Sequence, residues 1–352
     1  MCPSVRCYGR RSSTPSTRYV HPFERPVRSE RSIDDYTKTA ANNRRRLHRL
    51  DAVLSEFEAS GIEALPLKGA DLLGRAYGGA LGLRPMVDVD LLVHHQDLPQ
   101  IERILEANGF QSRASGNPVY VFPNHFLALD MISDIWYLES IDAVWQRSVC
   151  RQVAGRFRRA MHPEDALIYL AAYQTIHRGR LGRQMALDVA ALLDAEGQLI
   201  DWDNVVHQAN TRHLRLPLYH GLAYAHDKTG ARIPTWVLDA LRPEDSQHRI
   251  ASLYQRLVTE QGIPGLGHLL LILSLRGYKH KLKALWKALF PSRDFLAFRY
   301  GERNPCEWLW IRLSRPAYLL FRGGLLLLRI GRRLIETRHF VQSDKRCQKT
   351  CN

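Results

Sequence analysis

Apolar and acidic positions alternate along MVDVDLLV (residues 86–93), the period-two pattern of a strand with one buried face. IEALPLKG (62–69) reads as a short strand before it, and FLALDMI (126–132) as another after it. Between these runs the period changes. NNRRRLHRLDAVLSEFEASG sets Leu47, Leu50, Leu54 and Phe57 on one helical face and stops at Gly61. LPQIERILEANG predicts a further helix, with Asp97 as its N-cap, Gln100 placed for a capping box and Gly109 just past its end. ADLLGRAYGG reads as a helical turn running into a loop. Helix and strand therefore alternate up to about residue 150, which argues for an α/β domain.

From His162 the strand period is gone. PEDALIYLAAYQTIHRGRLGRQMALDVAALLDAEG reads as two helices and DWDNVVHQANTRHLRLPLYHGLAYAHDKTG as two more. Residues 151–275 are expected to form an all-α domain of five or six helices. Residues 1–30, rich in Pro, Ser and Arg with no periodicity, are expected to be a disordered basic tail. The expected class is thus α/β in the α+β sense: a small mixed-sheet domain (31–150), then an all-α helical domain, then a basic amphipathic segment (276–352).

Charge sharpens this division. The net charge of +15 is carried by the two ends. Residues 1–50 hold 12 Lys/Arg against 4 Asp/Glu, and residues 276–352 hold 18 against 5, so the middle of the chain is net acidic. A nucleic-acid-binding core would carry its basicity on the folded middle. Basic flanks instead suit a phosphate, RNA or anionic membrane contact, or remain solvated. The six cysteines form no C-x-x-C pair, and four lie in the terminal tails, so a reducing cytoplasmic setting is expected. The N-terminal stretch lacks the apolar run of a secretory signal. AYLLFRGGLLLL (317–328) is interrupted by Arg322 and is short of the roughly 20 residues a membrane span needs. Membrane contact, if any, is expected to be peripheral.

The candidate chemistry lies between residues 68 and 130. On a strand, Asp88 and Asp90 point to one face with Cα atoms about 6–7 Å apart, while Val87, Val89 and Leu91 point into a core. Two such carboxylates repel by about 3 kcal/mol at 5 Å with an effective dielectric of 20. A cation is needed, and Mg²⁺ (or Mn²⁺) takes oxygen ligands and brings substrate phosphates with it. A third carboxylate on a neighbouring strand would complete the set and accept a proton from the attacking hydroxyl. Asp130 is the first choice, Asp134 the second. Lys68 and Gly69 end the preceding strand, where a lysine acts as a point charge on phosphate and a glycine lets backbone amides approach it. Arg84, four residues before Asp88, offers a fork for bidentate phosphate contact or for neutralising either aspartate.

Taken as a whole, LPLKGADLLGRAYGGALGLRPMVDVDLLVHHQDL resembles the largely uncharacterised nucleotidyltransferase-like proteins of the DNA polymerase β superfamily. Their pattern is Leu-Lys-Gly, a helix, an Arg, Asp-x-Asp-Leu-Leu-Val and a helix ending near Gly-Phe, here Gly109-Phe110. HPEDALIYLAAYQTIHRGRLGRQMALDVAALL is similar to the family's helical segment, and the likeness extends over about residues 40–240 and more loosely to about 325. The resemblance implies a metal-dependent nucleotidyltransferase moving a nucleoside monophosphate from NTP to an acceptor. Asp88, Asp90 and Asp130 would be catalytic metal ligands, and Lys68, Gly69 and Arg84 would hold the triphosphate. His177 and Asp188 match family positions in the helical domain, where a substrate role competes with a simple helix–helix hydrogen bond. Two departures stand out: Lys68-Gly69-Ala70 replaces the superfamily's usual Gly-Ser, and Asp130-Met-Ile-Ser replaces Asp-x-His-Trp.

Three functions compete on this reading. The first is the enzyme, with a small molecule, peptide or protein as acceptor. The second is a nucleotide-binding module without turnover. The third is a peripheral membrane or RNA-associated protein in which RPAYLLFRGGLLLLRIGRRLIETR dominates as an interfacial helix.

Overall fold

The computed structural model describes residues 30–113, 119–123, 126–135, 137–138, 140–243, 248–258, 262–263, 265–275, 277–290 and 305–350. The tail expected to be disordered lies outside the described residues up to position 29. The chain divides into two compact units, one of residues 1–113, 119–134 and 144–162, the other of residues 114–118, 135–143 and 163–352.

The first unit is a mixed sheet backed by helices. Its elements are α1 (Glu30–Ala59), β1 (Ala64–Pro66), α2 (Lys68–Arg75), β2 (Asp88–Val93), α3 (Leu98–Ala107), β3 (Gln111–Arg113), β4 (Val119–Val121) and β5 (Ala128–Ile132). The strand order is β1-β2-β5-β4-β3, antiparallel except for the central β2–β5 pair. The predicted face of α1 is confirmed: Leu50, Leu54 and Phe57 are buried with Val89, Leu91, Leu129 and Met131 in one cluster. Gly61 and Gly109 both adopt left-handed backbone (φ +74° and +79°), which ends α1 and α3 where the sequence places the stops.

Two local expectations fail. Val87 precedes β2 and is 72% exposed, because the strand starts only at Asp88. Asp97 makes no side-chain cap: it sits in a 3₁₀ turn (His95–Asp97) with helical backbone, and the Gln100 amide donates instead to the Ser60 carbonyl at 3.3 Å. The capping box needs an extended N-cap backbone, which the 3₁₀ turn removes.

After α4 (Ile141–Arg147) comes a hairpin that the pattern did not predict, β6 (Val149–Val153) and β7 (Arg156–Ala160), turning at Ala154-Gly155. Its arginines are held from elsewhere in the first unit. Arg158, 4% exposed, donates to Glu58 and Asp51 of α1, both at 2.7 Å, and Arg159 to Glu63 at 2.7 Å.

The second unit is helical. It contains α5 (Pro163–Tyr173), which runs into a π-helical turn (Gln174–Arg178), then α6 (Arg183–Glu196), α7 (Trp202–Thr211), α8 (Arg215–Thr229) and α9 (Thr235–Leu241). α10 (His248–Leu257), α11 (Leu266–Ser274), α12 (Tyr278–Leu289) and α13 (Pro305–Thr350) follow. Among the described residues seven helices lie between Pro163 and Ser274, where five or six were expected. α5 is buried over almost its whole length, which is why it shows so little amphipathic period.

The partly buried His220 of α8 stacks on Tyr254 with ring centroids 5.1 Å apart and planes 3° off parallel. Burial pushes its pKa down to about 4. As pH falls below about 6.5 the unfolded chain takes up a proton that the folded chain refuses, so stability is lost between about 6.5 and 4. The loss is on the order of 3 kcal/mol. Thermal unfolding at pH 7 and pH 4.5 should show His220→Phe losing much less midpoint on acidification than the parent chain.

Candidate functional site

The pleat of β2 and β5 sorts their residues onto two faces. Val89, Leu91, Leu129 and Met131 go to the core, so Asp88, Asp90, Ala128 and Asp130 take the other face. Asp90 is the direct partner of Asp130 in the parallel register, and Asp88 is the partner of Ala128. Adjacent strands lie about 4.8 Å apart, so Asp90 and Asp130 are neighbours and Asp88 is one pleat repeat away toward the strand start. The three predicted carboxylates thus share one sheet face. Asp134 lies beyond the end of β5 and is exposed.

Asp88 is exposed whereas Asp90 is only 5% exposed. Burial raises the Asp90 carboxyl above its ordinary range. Lys68 pulls the other way through charge and a hydrogen bond, Asp88 adds to the rise, and Arg84 opposes it. The Lys68 Nζ lies 3.0 Å from both Asp90 oxygens. Lys68 is also a non-glycine residue in left-handed backbone (φ +49°), at the first position of α2. That conformation costs on the order of 1 kcal/mol or more and is held only where the surroundings enforce it. Here the Leu67 N–H donates to the Asp90 carbonyl at 2.9 Å, fixing the end of β1 to β2 just before the lysine.

Gly69 also answers a packing constraint that the sequence did not reveal. A Cβ there would lie 2.8 Å from the guanidinium carbon of Arg84, so the glycine makes room for that buried side chain. Arg84 donates to its neighbour's Pro85 carbonyl at 3.1 Å, and its charge reaches Asp90. The loop that carries it is pinned by Asn43 of α1, whose amide donates to the Leu81 and Arg84 carbonyls at 2.7 and 2.8 Å. Lys68, Gly69, Arg84, Asp88, Asp90 and Asp130 are therefore brought together within the first unit.

The residues also fit a divalent cation in chemical type, since hard carboxylate oxygens are what Mg²⁺ takes. Among the described residues no group of three His, Cys, Asp or Glu side chains converges as a ligand set. A cation held by two of these aspartates would draw the rest of its shell from substrate phosphates and water, the usual arrangement for Mg²⁺.

The model of the uncharacterised nucleotidyltransferase family matches residues 25–230, more than half of the chain. The chain belongs to this family. A comparison with curated proteins found no match. Among solved structures the chain is similar to the antibiotic-resistance factor ANT(2'')-Ia, at 15% identity over 53% of this chain and 98% of that one. The TM-score is 0.39, and a likeness that loose carries nothing further.

In this nucleotidyltransferase-family chain the two helical candidates lie in the second unit. His177, in the π-helical turn, stacks on Tyr173 with centroids 4.8 Å apart and meets the edge of His268 at 5.4 Å. Asp188 of α6 is buried and accepts a hydrogen bond from Gln184 at 3.0 Å.

Sequence reasoning missed the contribution of α1. Burial, then the adjacent Arg45, lowers the Arg46 guanidinium pKa, while Asp88 opposes the shift, which puts Arg46 within electrostatic reach of that carboxylate. Arg46 also donates to the Phe126 carbonyl at 2.9 Å, and Arg45 and Arg46 both lie over the Phe126 ring. Beside them is a pocket of about 470 Å³ lined by Arg44, Arg45, His48, Arg49, Phe122 and Phe126. The signal was present as NNRRRLHRL, a run with no acid in it, but it was used only as a helix pattern.

Proposed function

We propose that this chain transfers a nucleoside monophosphate from an NTP to an acceptor hydroxyl or phosphate, at the sheet face carrying Asp88, Asp90 and Asp130. The observation that supports it best is the register: Asp90 lies directly beside Asp130, on the face shared with Asp88, with Lys68 at 3.0 Å and the Arg84 charge within reach. In the reaction an acceptor oxygen forms a bond to the α-phosphorus, the bond from that phosphorus to the bridging oxygen breaks, and pyrophosphate leaves. Asp130 would take the acceptor's proton. A divalent cation held by Asp88 and Asp90 would supply charge neutralisation on the phosphates and polarise the reacting phosphoryl group. Lys68 would leave its ion pair with Asp90 for the triphosphate, and Arg84 would add a fork to the same anion. The acids and cations do most of their work by positioning and electrostatics, as phosphoryl-type transfer requires.

The Lys68–Asp90 ion pair also favours a second reading. It satisfies the buried carboxylate without any metal, and it would serve a nucleotide-binding module without turnover equally well. Calorimetry with ATP, GTP, CTP and UTP, with and without Mg²⁺, separates the readings from a fold that binds nothing. Metal-dependent binding of one nucleotide, weakened at least about tenfold (about 1.4 kcal/mol) in Asp88→Ala/Asp90→Ala, is the expected result. Binding indifferent to both metal and the two aspartates would remove the proposed site, and binding without pyrophosphate release across an acceptor screen would favour the module.

A further inference from the structure

Within the second unit, α13 has two unlike faces. Trp308 is buried, and Leu326 and Ile330 pack against a cluster built on Leu216, Tyr254, Leu257 and Leu266. Arg315 donates to the Ala288 carbonyl of α12 at 3.3 Å, so this helix is docked along one side. At 100° per residue the other side gathers Leu309, Trp310, Leu313, Leu320, Phe321 and Leu328 within about a third of the circumference. Each of these is 61–72% exposed. Arg332 borders the same face, Arg312 and Arg329 lie about 60–80° beyond its edges, and all three are exposed. α12 repeats the pattern: Tyr278, Leu282 and Trp286 are exposed beside Lys279 and Lys283.

We infer that α12 and α13 form a docking surface for an anionic lipid bilayer, with the exposed apolar face of α13 lying in the headgroup region. Apolar patches of this extent are rare on soluble monomers unless something covers them. Charge selects the occupant. Residues 276–352 carry 18 basic against 5 acidic side chains, so a second copy would set two strongly positive surfaces against each other, whereas an anionic bilayer offers the opposite sign. Aromatic side chains with a wet and an apolar end, here Trp310, Trp286 and Tyr278, favour the membrane–water boundary. Arginine and lysine stems cover apolar surface while their charged ends reach lipid phosphate. Among the described residues no helix is long and apolar enough to cross a membrane, which fits a helix lying in the surface plane.

The test uses the full chain and vesicles of neutral phosphatidylcholine, alone or with roughly one third phosphatidylglycerol. The chain is expected to pellet with the anionic vesicles at least about tenfold more than with the neutral ones, with a blue shift of tryptophan emission. Leu320→Glu/Phe321→Glu changes only exposed positions, and circular dichroism checks that the helices remain; it is expected to abolish both signals. Failure to pellet with anionic vesicles, or pelleting that the double substitution leaves intact, overturns the proposal. A concentration-dependent dimer abolished by the same substitution, in a chain that ignores vesicles, assigns the face to a second copy instead. Salt-sensitive RNA binding untouched by Leu320→Glu/Phe321→Glu, again without vesicle binding, assigns the basic segment to nucleic acid.

Discussion

Asp90→Asn is expected to lower nucleotidyl transfer by on the order of 10²–10³-fold, read as pyrophosphate release with the nucleotide that calorimetry selects. The substitution keeps the size of a side chain that is almost fully buried and removes only its charge. That charge meets the other members of the site: Asp130 beside it in register, Lys68 at 3.0 Å, and Asp88 and Arg84 within electrostatic range. Losing it removes an anion from the cation site and frees Lys68 from its ion pair before any nucleotide arrives. The fold should tolerate the exchange, because Lys68 retains 19% side-chain exposure and its ammonium can turn to water. Stability close to the parent's with activity lost is therefore the expected pair of results. Asp134→Asn is the matched control, since Asp134 lies past the end of β5, and it should leave transfer within a few-fold of the parent. Full activity in Asp90→Asn would move the chemistry off this sheet face.

The sheet face was legible because period two is a local property. Alternation in MVDVDLLV assigned Val89 and Leu91 to the core and Asp88 and Asp90 to the opposite side, and the apolar run ending in Asp130 supplied a neighbouring strand. Whatever depends on a distant partner was not legible. The segment 149–160 is rich in arginine and gives no clean strand pattern on its own; the acids that hold Arg158 and Arg159 are Asp51, Glu58 and Glu63, about a hundred positions earlier. Gly69 reads as an anion-approach glycine, and the packing of the buried Arg84 side chain against it could not be read locally. Arg46 reads as one more solvated helix position until Phe126 and Asp88 are placed beside it. The Asp97 cap failed for a related reason: the residues suited a capping box, but the preceding turn fixed a backbone that a cap does not use.

Asp71→Ala should destabilise the first unit by about 3–5 kcal/mol, although Asp71 belongs to none of the catalytic candidates. Its carboxylate lies 3.3 Å from Arg75 one turn along α2, and the two side chains are 3% and 1% exposed. Arg75 also donates to the Met161 carbonyl at 2.8 Å, tying α2 to the end of the β6–β7 hairpin. A buried pair of this kind adds little beyond what an apolar pair of the same size would, because both ions lose water. Removing one partner is different: the guanidinium stays buried and loses the carboxylate one turn away. A drop in unfolding midpoint on the order of 10 °C is expected, followed by calorimetry or circular dichroism. Asp71→Leu/Arg75→Met should recover most of that loss, which a purely geometric role for the pair would not permit. Because α2 begins with Lys68 and Gly69, the double substitution also isolates the scaffold from the chemistry. If α2 is held mainly by its apolar contacts, the recovered variant should bind nucleotide with the parent's affinity; weakened binding at restored stability would mean that the ion pair sets the angle at which α2 presents Lys68.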